Sequence, residues 1–86
     1  QLGFKAMIIV EQIRAARAAL RWSIEDLSAL SNVSVRTIKM IESSDGAPNC
    51  RAVTLNKLIA ACEAEGIEFV GTRDDRPGIR IGKPKP

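Results

Sequence analysis

Residues 27–42 read LSALSNVSVRTIKMIE. Two short runs with helical spacing flank a three-residue joint, Ser31, Asn32 and Val33. A tight turn between two helices needs one residue with positive φ, and after Gly, Asn adopts that conformation most readily. Asn32 is therefore the expected pivot, and Val33 the apolar plug of the corner. Ser34 is placed to cap a third helix over 34–43, with Val35, Ile38 and Ile41 as its apolar positions. On the near side of the joint, Ser23 reads as an N-cap. Asp26, three residues on, can reach back to it in a variant of the capping box. Trp22 and Leu27 have the spacing of a hydrophobic staple. The second helix then carries Ile24, Leu27 and Leu30 on one face, with Glu25 and Asp26 in its first turn, where the helix dipole favours acids.

Upstream, Val10, Ile13, Ala16, Ala19 and Leu20 repeat at helical spacing over about three turns, and RWS at 21–23 stops the run. Residues 1–8 read as an N-terminal flank, native or left by cloning, with Met7 a plausible start. SSDGAPN at 43–49 is a loop rich in turn formers. A fourth helix is expected over 51–65, with Val53, Leu55, Leu58, Ile59 and Cys62 apolar and Gly66 ending it. The period then changes from helical to alternating in IEFVG and GIRIG, separated by the polar TRDDRP. This predicts a β-hairpin over 67–82 with Ile67, Phe69, Ile79 and Ile81 on its inner face, followed by a basic tail at 83–86. A lone two-stranded hairpin is marginal in water. Its apolar face must pack on the helices or on the same hairpin of a second chain. The expected architecture is mainly α: a compact four-helix bundle over 9–66 containing a helix-turn-helix, then the hairpin.

Composition narrows the function classes. The chain of 86 residues has 13 basic and 10 acidic side chains, a net charge of +3, which tolerates a polyanionic partner without demanding one. No apolar run approaches the roughly 18 residues of a membrane span. With no His, a Ser-His or Cys-His pair is impossible, and two cysteines alone make no zinc site. No Gly-rich phosphate loop occurs. The reading is a non-enzyme without metal or cofactor, in a reduced, cytoplasmic setting with Cys50 and Cys62 as thiols.

A helix-turn-helix presents its second helix so that the N-terminal half enters a groove about 12 Å wide. If Ile38 and Ile41 hold that helix to the body, Arg36, Thr37 and Lys39 fall outward, with Ser34 and Val35 at the leading end. Arg and Lys suit guanine, Thr is adaptable, and Val can meet a thymine methyl. Arg51, near the start of the fourth helix, can reach a backbone phosphate.

The stretch RAARAALRWSIEDLSALSNVSVRTIKMIESSDG resembles the phage-repressor and Cro (XRE) type of helix-turn-helix regulator, over about 10–65. The matching elements are the Arg of the first helix, S-x-E-D-L, V-S-x-x-T-I and the closing Glu42. The hairpin with GIRI is similar to that of short bacterial regulators of this family. The family often has Gln where this chain has Ile24, Ala where it has Ser28 and Gly where it has Asn32. The resemblance implies a lambda-repressor-like fold and an ion pair between Arg17 and Glu42 that locks the first helix to the end of the reading helix. Arg14 and Arg21 then read as solvated. It further implies a sequence-specific double-stranded DNA-binding transcriptional regulator, a repressor or autoregulator working as a homodimer on an inverted repeat. The rival is a helix-turn-helix-fold module that binds a partner protein, as an antitoxin or antiactivator would.

Overall fold

The computed structural model describes residues 7–83. Helices α1 (Val10–Ala19), α2 (Ile24–Ser31), α3 (Val35–Glu42) and α4 (Ala52–Ala64) precede strands β1 (Ile67–Thr72) and β2 (Asp75–Ile81). Local chemistry accounts for the breaks between them. Arg21 is left-handed at φ 58°, and the amides of Arg21 and Trp22 return to Ala18 O and Arg17 O, closing α1. That is the Schellman pattern, with Arg where Gly is usual. Ser23 Oγ accepts from the Asp26 amide at 3.0 Å while Asp26 Oδ2 accepts from the Ser23 amide at 2.9 Å, so both halves of the capping box are made. Asn32 is left-handed at φ 63°, and its amide donates to Ser28 O. Ser31 Oγ accepts from the Val33 amide, which turns the buried Val33 into the corner. Gly66 follows α4 at φ 93°, and a Cβ there would lie 2.5 Å from Lys83 O, so the chain can close only on glycine.

The core gathers Val10, Ile13 and Ala16 of α1, Leu27 of α2, Ile38 and Ile41 of α3, Leu55, Leu58, Ile59 and Cys62 of α4, and Ile67 and Phe69 of β1. Ile8 joins them at 1% exposure, so the core begins inside the segment read as flank; residues 1–6 of that flank and 84–86 of the basic tail lie outside the described residues. Four apolar expectations are corrected. Ala19, the last residue of α1, is exposed. Leu30 is 58% exposed: the buried pair of α2 is Leu27 and Ser31, and at about 100° per residue Leu30 falls roughly a quarter turn away from that stripe. Val53 is exposed because it projects nearly opposite to Leu55, Leu58, Ile59 and Cys62. Ile81, at the end of β2, is 68% exposed although Ile67 opposite it is buried.

The hairpin is antiparallel, with Ile67 opposite Ile81 and Phe69 opposite Ile79. A bulge falls between Val70 and Thr72, where Gly71 has φ 77° and a Cβ would meet Arg76 O at 2.3 Å. β1 packs on α4 and β2 on α1. Except at its end, Ile81, the apolar face of the hairpin is thus covered by the chain's own helices. A polar residue fastens it. Gln12 is 2% exposed, and its Nε2 donates to Val70 O at 3.0 Å and Gly78 O at 2.8 Å. Its Oε1 accepts from the Ile9 amide at 2.9 Å, ahead of α1. Three hydrogen bonds satisfy this buried amide, which the sequence reading passed over. Among the described residues, no helix is long and apolar enough to cross a membrane.

Candidate nucleic-acid interface

α3 has two faces. Ile38 and Ile41 are buried, and α3 packs on α1 and α2. Arg36, Lys39 and Met40 are exposed, and Val35 and Thr37 are half-buried. Arg36 and Met40 lie one turn apart, so a thioether stands beside the two cations. The sequence reading missed Met40, though its i+4 spacing from Arg36 would have found it. Among the described residues, neither Arg36 nor Lys39 has an ion-pair partner.

Ser34 and Thr37 are tied to each other. Ser34 Oγ accepts from the Thr37 amide at 3.1 Å and donates to Thr37 Oγ1 at 2.9 Å. The Ser34 proton is therefore spent within the cap, and the Thr37 hydroxyl is the one left to donate outward. Arg51 occupies the N-cap of α4 and is exposed; its side chain makes no capping bond. It belongs to a different helix from the other five candidates, which share α3 and its cap.

The only acid on α3, Glu42, faces the body. Arg17 Nε and NH2 donate to Glu42 Oε2 and Oε1 at 3.0 and 2.8 Å, and Arg17 NH1 donates to Trp22 O at 3.1 Å. The carboxylate is 6% exposed and the guanidinium 24%. This fork-to-fork pairing raises the pKa of Arg17, through its hydrogen bond to Glu42 against a smaller opposing effect of burial. Its electrostatic consequence is that the outward face of α3 keeps two positive charges and no acid of its own.

Arg14 corrects the reading of a solvated side chain. Its NH1 donates to Glu42 O at 2.7 Å and Ser44 O at 3.1 Å, and its NH2 pairs with Asp45. Arg21 does remain exposed, but its left-handed backbone takes it off the α1 surface.

Residues 13–49 match the family model for the helix-turn-helix, HTH_3. Over this segment the chain is similar to the XRE-type helix-turn-helix. The match runs from the second turn of α1 through the loop after α3, so it includes Arg17, the joint, all of α3 and Glu42, and it marks a family of DNA-binding regulators. α4 beyond residue 49 and the hairpin fall outside it. No curated protein and no solved structure matches the chain.

Cys50 and Cys62 are free thiols. Burial pushes Cys62 up to about 12 and raises Cys50 as well, so both are poor nucleophiles near neutral pH. Among the described residues, no group of three or more Cys, Asp or Glu side chains is placed to hold a metal.

Proposed function

We propose that this chain is a sequence-specific double-stranded DNA-binding transcriptional regulator of a bacterial cytoplasm that reads a major groove with α3. The observation that carries the reading is the unpaired Arg36 and Lys39 on the outward face, with Glu42 sequestered by Arg17. Arg36 is assigned a guanine edge through its planar fork, and Lys39 a second guanine or a phosphate. Val35 and Met40 offer apolar contact to thymine methyls. Thr37 donates to phosphate or base, and Ser34 serves chiefly as the cap. Arg51 contributes a phosphate contact from α4. Binding over a promoter obstructs polymerase, which makes the chain a repressor or autoregulator without a bound effector.

One module reads few base pairs, so the proposal includes a two-fold homodimer on an inverted repeat with reading helices about 34 Å apart. The chain's own helices bury Ile67 and Phe69 on the inner face of the hairpin but leave the end of that face open to a second chain. Ile81 is the largest apolar side chain exposed there. Ile81→Lys is expected to shift the protein from dimer to monomer in sedimentation velocity while leaving its circular dichroism unchanged. A variant as dimeric as the wild type removes β2 from the interface.

The DNA reading is tested by titrating a preferred duplex and a scrambled one at two salt concentrations. Wild type should prefer its site and weaken steeply with salt. Arg36→Ala should lose about 1–3 kcal/mol on the preferred duplex, the worth of one bidentate base contact. Equal affinity of wild type and variant for both duplexes would sink the assignment. The rival partner-protein reading draws support from Leu30, Met40 and Val53, which are large, apolar and exposed. An apolar interface of that kind would show little salt dependence.

A further inference from the structure

The face of α1 that meets α3 does more than pair Arg17 with Glu42. Going up that helix, the Val10 amide donates to Gly46 O at 2.8 Å, and Glu11 Oε1 accepts from the Gly46 amide at 3.0 Å. One turn later Arg14 takes Glu42 O, Ser44 O and the Asp45 carboxylate with one guanidinium. One turn beyond that stands Arg17. The spacing 10, 11, 14, 17 is a single helical stripe, and all of it grips the segment 42–46.

Glu42 and Ser44 carry carbonyls at the end of α3 that have no further helical turn to donate to them. A cation at that end also suits the helix dipole. Arg14 alone joins the two carbonyls and the loop carboxylate. Its removal would loosen the segment 42–45, while Arg17 still held the Glu42 carboxylate and Val10 and Glu11 still held Gly46.

The geometry points to Arg14, acting with Asp45, as a positioning residue that sets the pitch of α3 and thereby its choice of DNA sequence. Neither residue touches DNA in this assignment. It rests on α3 being the reading helix. A small rotation of α3 misplaces the fork of Arg36 from a base edge more than it disturbs phosphate contacts, which tolerate displacement. Loss of the clamp therefore lowers discrimination between sequences rather than attraction to DNA as such.

The rival explanation is that Arg14 supplies charge to a phosphate and Asp45 merely neutralises it. The two explanations differ in sign at Asp45. Asp45→Ala removes an acid from an exposed loop and frees Arg14, so under the rival it tightens binding to every duplex. Under the positioning role it weakens the preferred duplex. The experiment titrates wild type, Arg14→Ala, Arg14→Lys and Asp45→Ala against the duplex that wild type selects from a random pool and against a scrambled duplex. Amide exchange at Val10 and Gly46 is measured on the same four proteins.

The expected result is that all three variants lose about tenfold on the selected duplex, within the range for residues that act through a neighbour. Binding to the scrambled duplex and the slope of affinity against salt should stay as in wild type. Val10 and Gly46 should exchange faster. Lys should fail to rescue, because an ammonium cannot span three acceptors held by a planar fork. Tighter binding by Asp45→Ala, or full rescue by Arg14→Lys, overturns the inference. If wild type selects no sequence, the DNA reading fails by itself, and unchanged exchange in the variants then rejects the clamp as well.

Discussion

Replacing Arg17 by alanine is expected to destabilise the domain by about 3–5 kcal/mol, a large part of the roughly 5–15 kcal/mol that holds a domain of this kind together. The mechanism is desolvation. The Glu42 carboxylate is 6% exposed and takes two hydrogen bonds from Arg17, so the variant leaves a charge in the body without its counter-ion. The reverse substitution is not equivalent. Arg17 is 24% exposed and also donates to Trp22 O, so after Glu42→Ala its guanidinium can reach water and keep one protein acceptor. Glu42→Ala should therefore cost less, about 1–3 kcal/mol. The measurement is urea unfolding of both variants, read as a shift in midpoint at unchanged slope. Equal costs below about 1 kcal/mol would mean the pair behaves as a solvated surface bridge. The double variant Arg17→Met with Glu42→Leu should recover most of the loss, since neither charge is then stranded.

The ion pair matters to the proposed function through α3's charge as well as its orientation. With Glu42 turned inward and paired, the exposed face carries only Arg36 and Lys39. Glu42→Ala keeps that outward charge, whereas Arg17→Ala leaves an unpaired acid one turn from Lys39. Between two variants that are both still folded, weaker DNA binding is thus expected for Arg17→Ala.

What could be read in the sequence was chiefly local. Ser23 with Asp26, Asn32 at the joint and Ser34 before α3 are decided by interactions within three or four residues, and the structure places each as its chemistry requires. The helical period also located the four helices to within a residue or two. Errors arose where burial depends on which side of a helix another element approaches. Leu30 and Val53 fit an apolar count but not the stripe that α2 and α4 turn toward each other. Arg14 looked like surface charge because two of its three acceptors are carbonyls, at 42 and 44, and a sequence does not display carbonyls. Gln12 was silent for the same reason: two of its three partners are backbone groups more than fifty residues away. The Arg17–Glu42 pair was expected only through the family resemblance, because spacing alone does not say which acid twenty-five residues away an arginine will meet. Residues that bind backbone leave no trace in the pattern of charges.

In the hairpin, partners far along the chain decide what is buried. From the sequence, an alternating apolar face with no assigned cover invites a second chain. In the structure Ile67 and Phe69 are core residues, and Gln12 fastens Val70 and Gly78 to α1. A chain ending at Gly66 would lose both core side chains and leave the Gln12 amide without two acceptors. It is expected to show no cooperative unfolding transition at 25 °C. Phe69→Ala makes the same point with one side chain. It should cost about 3–5 kcal/mol, the usual range for truncating a fully buried aromatic residue. Both are read by circular dichroism against urea at two protein concentrations tenfold apart. The concentration series separates the two roles a hairpin can have. If Phe69 packs within its own chain, the cost in a monomeric background such as Ile81→Lys equals the cost in the wild type. If Phe69 instead packs across a dimer, its loss costs nothing once the chains are apart. A Gly66-terminated chain that melts like the full one, but as a monomer, would return the hairpin to the dimer interface.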